Sequence, residues 1–369
     1  MAIVGLFRST KEDERRIPLH PEHLLALEPG IRSTLYFEAG YGQDFQIADE
    51  FFIKHSAGVV PRAQLLAMSD LAIILKPTPR DLLAMRPYAS LCGWVHCVQQ
   101  VAMTQVAIDQ KLSLIALDRM HYWVGDTHTH VFYKNNEIAG EMGVYEALRL
   151  CGFLPNYGSP MSAAVISFGA VGRGAVYALK RLGVHDITVY SRREAGHIAD
   201  QQPGVAYYQI AKTAQGEVQV VGDDLLFEHL KQKDVIVNAI AQDTDAPWMF
   251  MYNQQINQLK ASSMIVDISC DEGLGFEFAQ PTSFKAPICK VGNAFYYSVD
   301  HIPSCVWKSA SYEVSKALLP FLKILLAGES AWIENNTIHN AIDLSHGIVV
   351  NPAILAYQKR SSQYPHEIS

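Results

Sequence analysis

Short apolar runs alternate with stretches of helical periodicity along the first third of the chain. The apolar runs lie at residues 2–7, 33–37, 71–75, 89–95 and 114–117. A charged loop at residues 11–16 follows the first run, and a helix with apolar periodicity opens at His20-Pro21. Strands that alternate with helices in this way indicate a parallel sheet.

A second alternating set begins at Ala163. Its apolar runs lie at residues 163–168, 187–190, 218–221, 235–240 and 264–268. Between the two sets we expect a crossing loop at residues 121–135, a long helix at 137–150 and a linker at 152–160. A last helix begins near Ser309. We therefore predict an α/β protein with two Rossmann-like domains, parallel sheets and a cleft between them.

The composition is that of a folded globular protein. The chain has 369 residues, of which 49% are apolar and 18% are charged. That apolar content is enough for large cores and excludes a mainly disordered chain. The formal charge of −7 argues against a nucleic-acid-binding protein that relies on a broadly basic surface.

Cysteine usage and the apolar runs bear on the cellular location. The six cysteines are irregularly spaced and form no C-x-x-C pair, which favours reduced thiols in a cytoplasm. Arg8 precedes any long apolar run, so we expect no signal peptide. Residues 318–326 contain Pro320 and Lys323 and are too short to cross a bilayer. We expect a cytoplasmic protein with small-molecule partners and no nucleic-acid or membrane partner; the sequence is compatible with a homo-oligomer.

A glycine-rich turn follows the apolar run at 163–168. Residues 169–174 read Gly-Ala-Val-Gly-Arg-Gly, and an apolar helix is expected after them. Glycines at a strand-to-helix turn let the backbone approach a pyrophosphate, which then lies at the positive end of the helix. The predicted cofactor-binding residues are Gly169, Val171, Gly172 and Arg173. The spacing G-x-x-G-x-G differs from G-x-G-x-x-G, and the alternative is a tight turn that binds no ligand.

The next predicted strand ends in Ser191, Arg192 and Arg193. An NAD site normally has Asp or Glu at this place to accept hydrogen bonds from the ribose hydroxyls. A guanidinium instead pairs with a phosphate through parallel charge-assisted bonds. We therefore predict NADPH or NADP as the cofactor, with NADH as the alternative. Glu194 would offset part of the positive charge, and the two arginines would otherwise be solvated surface residues.

The position of the glycine-rich turn indicates which half of the chain binds the cofactor and which binds the substrate. We predict a dinucleotide-binding Rossmann domain at residues 136–304. The last helix is long enough to pack back onto the first half. We therefore predict a discontinuous substrate domain that combines residues 1–135 with residues 305–369.

Ionisable residues stand beside the ends of several predicted strands. Arg16, Lys76 and His96 lie in the first half, and the carboxylates of residues 267–273 follow a strand of the second half. Open α/β sheets bind ligands at the carboxyl ends of their strands. We expect these groups to converge on one cleft. Taken singly, Lys76 would more often be a surface lysine, and His96 a core histidine whose hydrogen bonds are satisfied.

These motifs, in this order, resemble the alanine dehydrogenase and transhydrogenase superfamily, above all carboxyethylornithine synthase and lysine-forming saccharopine dehydrogenase. The resemblance covers nearly the whole chain. Its shared segments are residues 16–23, Gly40-Tyr41-Gly42, Lys76-Pro77, His96 and residues 267–273. Residues 132–140 are most similar to carboxyethylornithine synthase, 298–304 and 169–173 to saccharopine dehydrogenase, and 237–240 to both.

The resemblance implies hydride transfer to an imine formed from a 2-oxo acid and an amine. Arg16 would pair with the oxo-acid carboxylate, because its fork is bidentate. His96 would act as general acid and base, and Lys76 would polarise the carbonyl. The resemblance further places Asp271 near the nicotinamide ribose or the substrate amine, Asp300 and His301 beside the nicotinamide, and Asn238 and Ala239 in the cofactor site.

We predict an NADPH-dependent reductive condensation of a pyruvate-like 2-oxo acid with the side-chain amine of an ornithine- or lysine-like amino acid, giving a secondary amine. The alternatives are reductive amination with ammonia, a saccharopine-dehydrogenase-like reaction, and a non-catalytic dinucleotide sensor. Carboxyethylornithine synthase tends towards Asn at the position of Asp271, which leaves the amine partner open.

Two further patterns, a histidine pair and a Cys–His neighbour pair, are not expected to form sites. His128 and His130 form an H-x-H pair that would face one side of a strand, but no further ligand cluster follows and no metal is predicted. Asp126 and Thr127 precede the pair in the same polar segment. Cys97 is adjacent to His96, and neighbouring strand residues point to opposite faces, so a Cys–His nucleophile pair is not expected.

Overall fold

The computed structural model describes residues 3–125, 127–242 and 246–368. The chain forms two compact units. The first unit combines the residues up to Phe132 with those from Ser304 onward, and the second unit is Tyr133–Pro303. Asp126, which precedes the H-x-H pair, lies outside the described residues.

In the first unit, strands alternate with helices as far as Ala116, and further strands follow them. The strands before Phe132 are β1 (Val4–Phe7), β2 (Leu35–Glu38), β3 (Gly58–Val60), β4 (Leu71–Ile74), β5 (Ser90–Gly93), β6 (Ser113–Ala116), β7 (His121–Val124) and β8 (Thr127–His130). The helices are α1 (Pro21–Ala26), α2 (Pro29–Arg32), α3 (Asp49–His55), α4 (Arg62–Met68), α5 (Pro79–Ala84) and α6 (Val101–Asp109).

The second unit repeats this alternation. Its strands are β9 (Ser162–Ile166), β10 (Asp186–Ser191), β11 (Val205–Lys212), β12 (Val218–Val220), β13 (Val235–Asn238), β14 (Met264–Asp267), β15 (Ile288–Val291) and β16 (Ala294–Tyr297). Its helices are α7 (Tyr133–Leu150), α8 (Ala170–Arg181) and α9 (Leu226–Leu230).

The returning segment completes the first unit. It contributes helices α10 (Trp307–Ala327), α11 (Glu329–Glu334), α12 (Asn336–His339) and α13 (Pro352–Tyr357), and strands β17 (Ile342–Ser345) and β18 (Ile348–Val349). None of the helices in the described part of the chain is both long enough and apolar enough to cross a membrane.

The sheet of the first unit has the order β18-β17-β6-β5-β4-β1-β2-β3. Strands β1 to β6 are all parallel, and β17 and β18 extend the sheet in antiparallel pairing. The parallel part has the doubly wound order 3-2-1-4-5-6, whose direction reverses between β1 and β4. Ligands of such sheets bind at the carboxyl ends of the strands at this switch point.

The sheet of the second unit has the order β12-β11-β10-β9-β13-β14-β16-β15. Only the two edge strands, β12 and β15, pair antiparallel. The six inner strands repeat the doubly wound order, with the switch point between β9 and β13.

Each face of the first sheet is covered by its own core. Leu6 and Phe7 are neighbours on β1 and lie in different cores, since successive side chains of a strand point to opposite faces. Helix α10 adds Val314 and Leu318 to the core that contains Leu6. The returning segment therefore forms part of the same hydrophobic core as the first strands.

The predicted α/β class with two Rossmann-like, mostly parallel sheets is confirmed, and two local expectations are wrong. Residues 121–135 were expected to form a crossing loop, but His121–Val124 and Thr127–His130 pair as antiparallel strands and α7 starts at Tyr133. Helix α8 begins at Ala170, inside the glycine segment, and not after it. Several short strands were missed, because a run such as β3 is only three residues long and half-buried.

Candidate active site

Lys76 and His96 lie beside each other at the carboxyl edge of the first sheet. Lys76 follows β4 and His96 follows β5, and these strands are parallel neighbours. Lys76 Nζ is 2.9 Å from His96 Nε2. A Cβ on Gly93 would lie 2.1 Å from the carbonyl oxygen of Ile74, so only glycine permits the close approach of the two strand ends. His96 has a left-handed backbone, with φ of 46°.

Neighbouring loops hold this pair in place. Ser9 Oγ, from the loop after β1, donates to the carbonyl oxygen of Lys76 at 2.5 Å. Asp118 follows β6, and its carboxylate accepts a hydrogen bond from the backbone N–H of His96. Burial raises the pKa of the Asp118 carboxyl, while the Lys76 ammonium acts in the opposite direction. Asp118 Oδ1 is buried and has no hydrogen-bond partner among the described residues.

Arg16 is buried and forms a bidentate pair with Glu14. Arg16 Nε donates to Glu14 Oε1 at 2.8 Å and Nη2 donates to Glu14 Oε2 at 2.5 Å. The Arg16 guanidinium carbon lies 4.9 Å from the centre of the Trp94 ring. The guanidinium is thus held in one orientation with part of its charge neutralised. That Arg16 binds a substrate carboxylate stays a prediction.

The segment that carries Arg15 and Arg16 is tied to the returning segment by serine hydroxyls. The backbone N–H groups of Arg15, Ile17 and His20 donate to Ser304, Ser311 and Ser315 at 3.0 Å or less. These serines lie about 290 residues further along the chain. The contacts fix the backbone of this loop, and they satisfy amide N–H groups that would otherwise need other hydrogen-bond acceptors.

The histidines of the β7–β8 hairpin form an aromatic cluster. The ring of His121 lies 4.6 Å from His128 and 5.0 Å from His130, centre to centre. Both ring nitrogens of His130 are hydrogen-bonded to main-chain atoms, of Asp118 and Phe132. Burial lowers the pKa of His130 to about 4. No group of three or more His, Cys, Asp or Glu residues within the described ranges is arranged to hold a metal ion.

In the second unit, the three glycines of the turn have different surroundings. A Cβ on Gly172 would lie 2.2 Å from the carbonyl oxygen of Ser167, and one on Gly174 would lie 2.0 Å from that of Glu137. These two glycines permit close packing of α8 on its neighbours. A Cβ on Gly169, at the N-cap of α8, would meet no atom within 4 Å. The open space and the helix N-terminus together fit a pyrophosphate.

The three arginines predicted for the cofactor lie near this turn but differ in their partners. Arg193 Nη2 donates to the carbonyl oxygen of Phe168 at 3.1 Å, directly before Gly169. Arg192 is exposed and stacks over Trp248, 5.8 Å from the ring centre. Arg173 pairs with Asp200 at 2.9 Å.

Ser191 and Ala239 complete the carboxyl edge at this switch point. Ser191 Oγ, at the end of β10, accepts from the backbone N–H of Arg193 at 3.1 Å. Ala239 follows β13, and its N–H donates to the carbonyl oxygen of Ile166 at 3.1 Å. Val171 lies in the first turn of α8, where its carbonyl oxygen packs closely against Gly140.

A buried carboxyl network joins β13, β14 and β16. Asn238 Nδ2 donates to Asp267 Oδ1 at 3.0 Å, and the Tyr296 hydroxyl donates to Asp267 Oδ2 at 2.8 Å. Burial raises the pKa of Asp267 to about 7, against the effect of both donors. The side chain of Asn238 is therefore engaged with Asp267, and a contact of this residue with a cofactor would use its backbone.

Asp271, Asp300 and His301 follow β14 and β16, which are parallel neighbours. Burial raises the pKa of Asp271 to about 6. His301 Nδ1 is hydrogen-bonded to Asp300 Oδ1, and the buried ring of His301 lies 4.9 Å from Phe284. These acidic groups thus share the carboxyl edge of the second sheet with the glycine turn.

Sequence reasoning missed Glu14, Asp118 and Trp94 as supports of the first-unit residues. Asp118 comes one residue after the predicted strand at 114–117, so the sequence already indicated that it lies at a strand end. Glu14 stands two residues before Arg16, but a pair at that spacing in a loop depends on the loop's conformation. The contact of Trp94 with Arg16 is decided by tertiary packing alone.

The fold and the glycine turn define a class of protein: a two-unit α/β protein with Rossmann-like, mostly parallel sheets. The family model for the alanine dehydrogenase/PNT N-terminal domain matches residues 5–139, and that for the C-terminal domain matches residues 153–352. The chain belongs to the alanine dehydrogenase/PNT family. It is an NAD(P)-dependent oxidoreductase that acts on CH–NH groups.

Relatives and solved structures agree with this family. The chain is 25% identical to N(5)-(carboxyethyl)ornithine synthase of Lactococcus lactis over 85% of its length and 93% of the relative. It is 24% identical to alanine dehydrogenase of Mycobacterium tuberculosis, with 89% and 88% covered. The fold is similar to an L-alanine dehydrogenase, with a TM-score of 0.76, 20% identity, and 96% of this chain and 98% of that chain covered. It is also similar to a transhydrogenase from Sinorhizobium meliloti, with a TM-score of 0.73, 19% identity and 95% and 99% covered.

Proposed function

We propose that this enzyme uses NADPH to condense a pyruvate-like 2-oxo acid with the side-chain amine of an ornithine- or lysine-like amino acid. The product is a secondary amine. The observation that carries the proposal is the 2.9 Å contact between Lys76 Nζ and His96 Nε2 at the carboxyl edge of the first sheet. It places an ammonium group beside an imidazole, and imine formation requires a group that stabilises the carbonyl oxygen and one that transfers protons.

The two side chains divide the proton transfers of the condensation. The amine nitrogen attacks the carbonyl carbon of the oxo acid, and a C–N bond forms as the C–O π bond breaks. Lys76 donates a hydrogen bond to the carbonyl oxygen, on which negative charge develops. His96 takes a proton from the attacking amine, and Lys76 transfers a proton to the oxygen to give a hydroxyl group. His96 then returns its proton to this hydroxyl group, which leaves as water and gives the protonated imine, and Lys76 regains a proton from solvent.

In this proposal, Arg16 and Lys76 supply the positive charge around the oxo acid. Arg16 is the partner of the substrate carboxylate, in the orientation set by Glu14 and Trp94. Because Glu14 neutralises part of the charge of Arg16, Lys76 supplies further positive charge. Asp118 accepts the His96 backbone N–H and so positions the loop that carries the imidazole.

The second unit would hold the cofactor, which supplies the hydride that reduces the imine carbon. Gly169 and the N-terminus of α8 would receive the pyrophosphate, and Ser191, Arg192 and Arg193 the ribose phosphate that distinguishes NADP from NAD. Trp248 supports Arg192 by stacking. Asp271, with Asp300 and His301, would lie near the nicotinamide ribose and hold the protonated amine when ionised.

The test is NADPH and NADH oxidation with pyruvate or 2-oxoglutarate, each paired with ammonium, ornithine or lysine, followed by the mass of the product. We expect NADPH oxidation with pyruvate and a diamino acid, and a product whose mass equals both substrates minus one oxygen atom. A product that forms only with ammonium would establish amino-acid dehydrogenation, and one from lysine with 2-oxoglutarate a saccharopine-type reaction. Cofactor binding without any turnover would favour a dinucleotide sensor.

A further inference from the structure

A cavity of about 470 Å³ opens in the first unit beside the carboxyl end of β1. It is lined by residues of the loop between Arg8 and Arg15 and by Glu38 and Asp44. Its volume is in the range of small-molecule sites, roughly 300–1,000 Å³. Ser9 lines the cavity and also donates to the carbonyl oxygen of Lys76, so the cavity adjoins the loop of the Lys76–His96 pair.

Most of the carboxylates that line this cavity are already paired. Asp44 lies 3.4 Å from Arg8, Glu38 is paired with Arg62, and Glu14 is paired with Arg16. Two lining residues of opposite charge, Arg15 and Asp13, form no ion pair with any described residue.

Arg15 is held by contacts that leave its charge uncompensated. Its guanidinium carbon lies 4.9 Å from the centre of the Trp307 ring, and its backbone N–H donates to Ser304 Oγ at 2.9 Å. Trp307 is itself fixed, because its Nε1–H donates to the carbonyl oxygen of Asp44 at 3.2 Å. A stacked guanidinium loses little conformational entropy when it binds a carboxylate.

Asp13 is held in a left-handed conformation, with φ of 58°, which places an acidic side chain two residues before Arg15. Ser304 Oγ donates to the carbonyl oxygen of Asp13 at 2.5 Å. One hydroxyl group thus joins the backbones of both Asp13 and Arg15. A stacked cation and, two residues before it, an anion whose backbone is held by the same hydroxyl group suit a ligand that carries both charges.

We propose that this cavity binds the α-amino-acid group of the amine substrate, with Arg15 on the carboxylate and Asp13 on the α-ammonium. The side-chain amine of that substrate would then extend towards Lys76 and His96. This inference rests on the proposed function, in which an amino acid supplies the amine. It gives separate tasks to neighbouring arginines, with Arg16 for the oxo acid and Arg15 for the amino acid.

The experiment is calorimetric binding of three probes to the full-length protein: L-ornithine, putrescine, which lacks the carboxylate, and 5-aminopentanoate, which lacks the α-ammonium. We expect Arg15→Gln to weaken ornithine binding about tenfold to hundredfold and to leave putrescine binding within about twofold. Asp13→Asn should weaken ornithine binding and leave 5-aminopentanoate binding within about twofold. Arg15→Lys should restore part of the lost ornithine affinity.

The control is Arg86→Gln, which removes an exposed arginine paired with Asp70 elsewhere in the first unit. It should change no affinity, and thermal unfolding should show that all variants are folded. Equal weakening of ornithine and putrescine by Arg15→Gln, or no weakening of either, would overturn the assignment. The product-mass assay separates the two proposals. If the enzyme makes a secondary amine and Arg15→Gln leaves the affinity for ornithine unchanged, only the assignment of the cavity is refuted. If ornithine binding depends on Arg15 but no secondary amine forms, only the proposed reaction is refuted.

Discussion

Lys76 Nζ lies 2.9 Å from His96 Nε2, although the two residues are 20 positions apart in the chain. The contact exists because β4 and β5 are parallel neighbours and Gly93 lets their ends approach. With Lys76 as an ammonium, which has donors only, this hydrogen bond requires His96 Nε2 to be the acceptor. The pair can therefore offer a proton and accept one at the same place.

Replacing His96 should remove turnover and spare cofactor binding. His96→Asn is the preferred change, since Asn tolerates the left-handed backbone at this position and has no titratable nitrogen. We expect turnover to fall by two or more orders of magnitude, the usual loss for a general acid–base residue. NADPH affinity should be unchanged. His185→Ala, at an exposed histidine, is the control, and normal turnover of His96→Asn would exclude His96 from the mechanism.

Cofactor preference should depend on the arginines after β10. Arg192→Ala should weaken NADPH binding tenfold or more and NADH binding less than about twofold, since only NADPH carries the additional phosphate. Fluorescence titration with both nucleotides measures this. Arg181→Ala, an exposed arginine at the other end of α8, should alter neither affinity. Equal effects of Arg192→Ala on NADPH and NADH would contradict the phosphate role.

Substitutions at Gly169 and Gly172 should have different effects, the first on cofactor binding and the second on stability. Gly169→Ala has room for its Cβ and an ordinary backbone, so the thermal midpoint should stay within about 2 °C of the wild type while cofactor affinity falls about tenfold. Gly172→Ala places a Cβ against the backbone of Ser167 and should destabilise the protein by about 1–3 kcal/mol or more. A Gly169→Ala protein that binds NADPH normally would argue against a pyrophosphate at this turn.

Stability should fall with rising pH because of Asp267. Burial raises its pKa from 3.8 to about 7, so the folded protein holds the proton more tightly than the unfolded chain. The resulting stabilisation is complete below about pH 4 and is lost as the pH rises through about 7, at up to about 1.4 kcal/mol per pH unit.

Urea unfolding at several pH values between 4.5 and 7.5 measures this slope. Asp343 and Asp271, whose pKa values burial raises to about 6, act in the same direction and remain in the variant. Asp267→Asn keeps an acceptor for Tyr296, so the difference in slope between the two proteins isolates Asp267. Identical slopes would show that the Asp267 carboxyl stays ionised in the folded protein.

Much of the fold could be predicted from the pattern of apolar and polar residues along the chain. The alternation of apolar runs with helical stretches predicted both doubly wound sheets, because periodicity reports which side chains meet a core. The hairpin β7–β8 escaped prediction, since its strands contain mostly polar and aromatic residues and β7 is largely exposed. The start of α8 was predicted too far along the chain, because glycine has a low helix propensity. Gly172 and Gly174 nevertheless lie in the first turns of the helix, where they permit close packing against neighbouring backbone.

Residue types and their order along the chain determined the class of fold, the glycine turn and the strand ends that carry Lys76 and His96. Tertiary structure alone decided the partners of the charged side chains. Arg15 and Arg16 are adjacent in the chain, yet Arg16 is buried against Glu14 while Arg15 stacks on Trp307. The physical reason is that the energy of a charged group is set by its nearest partners and its burial. Those partners depend on the conformation of the loop for Glu14, and on a segment nearly 300 residues away for Trp307.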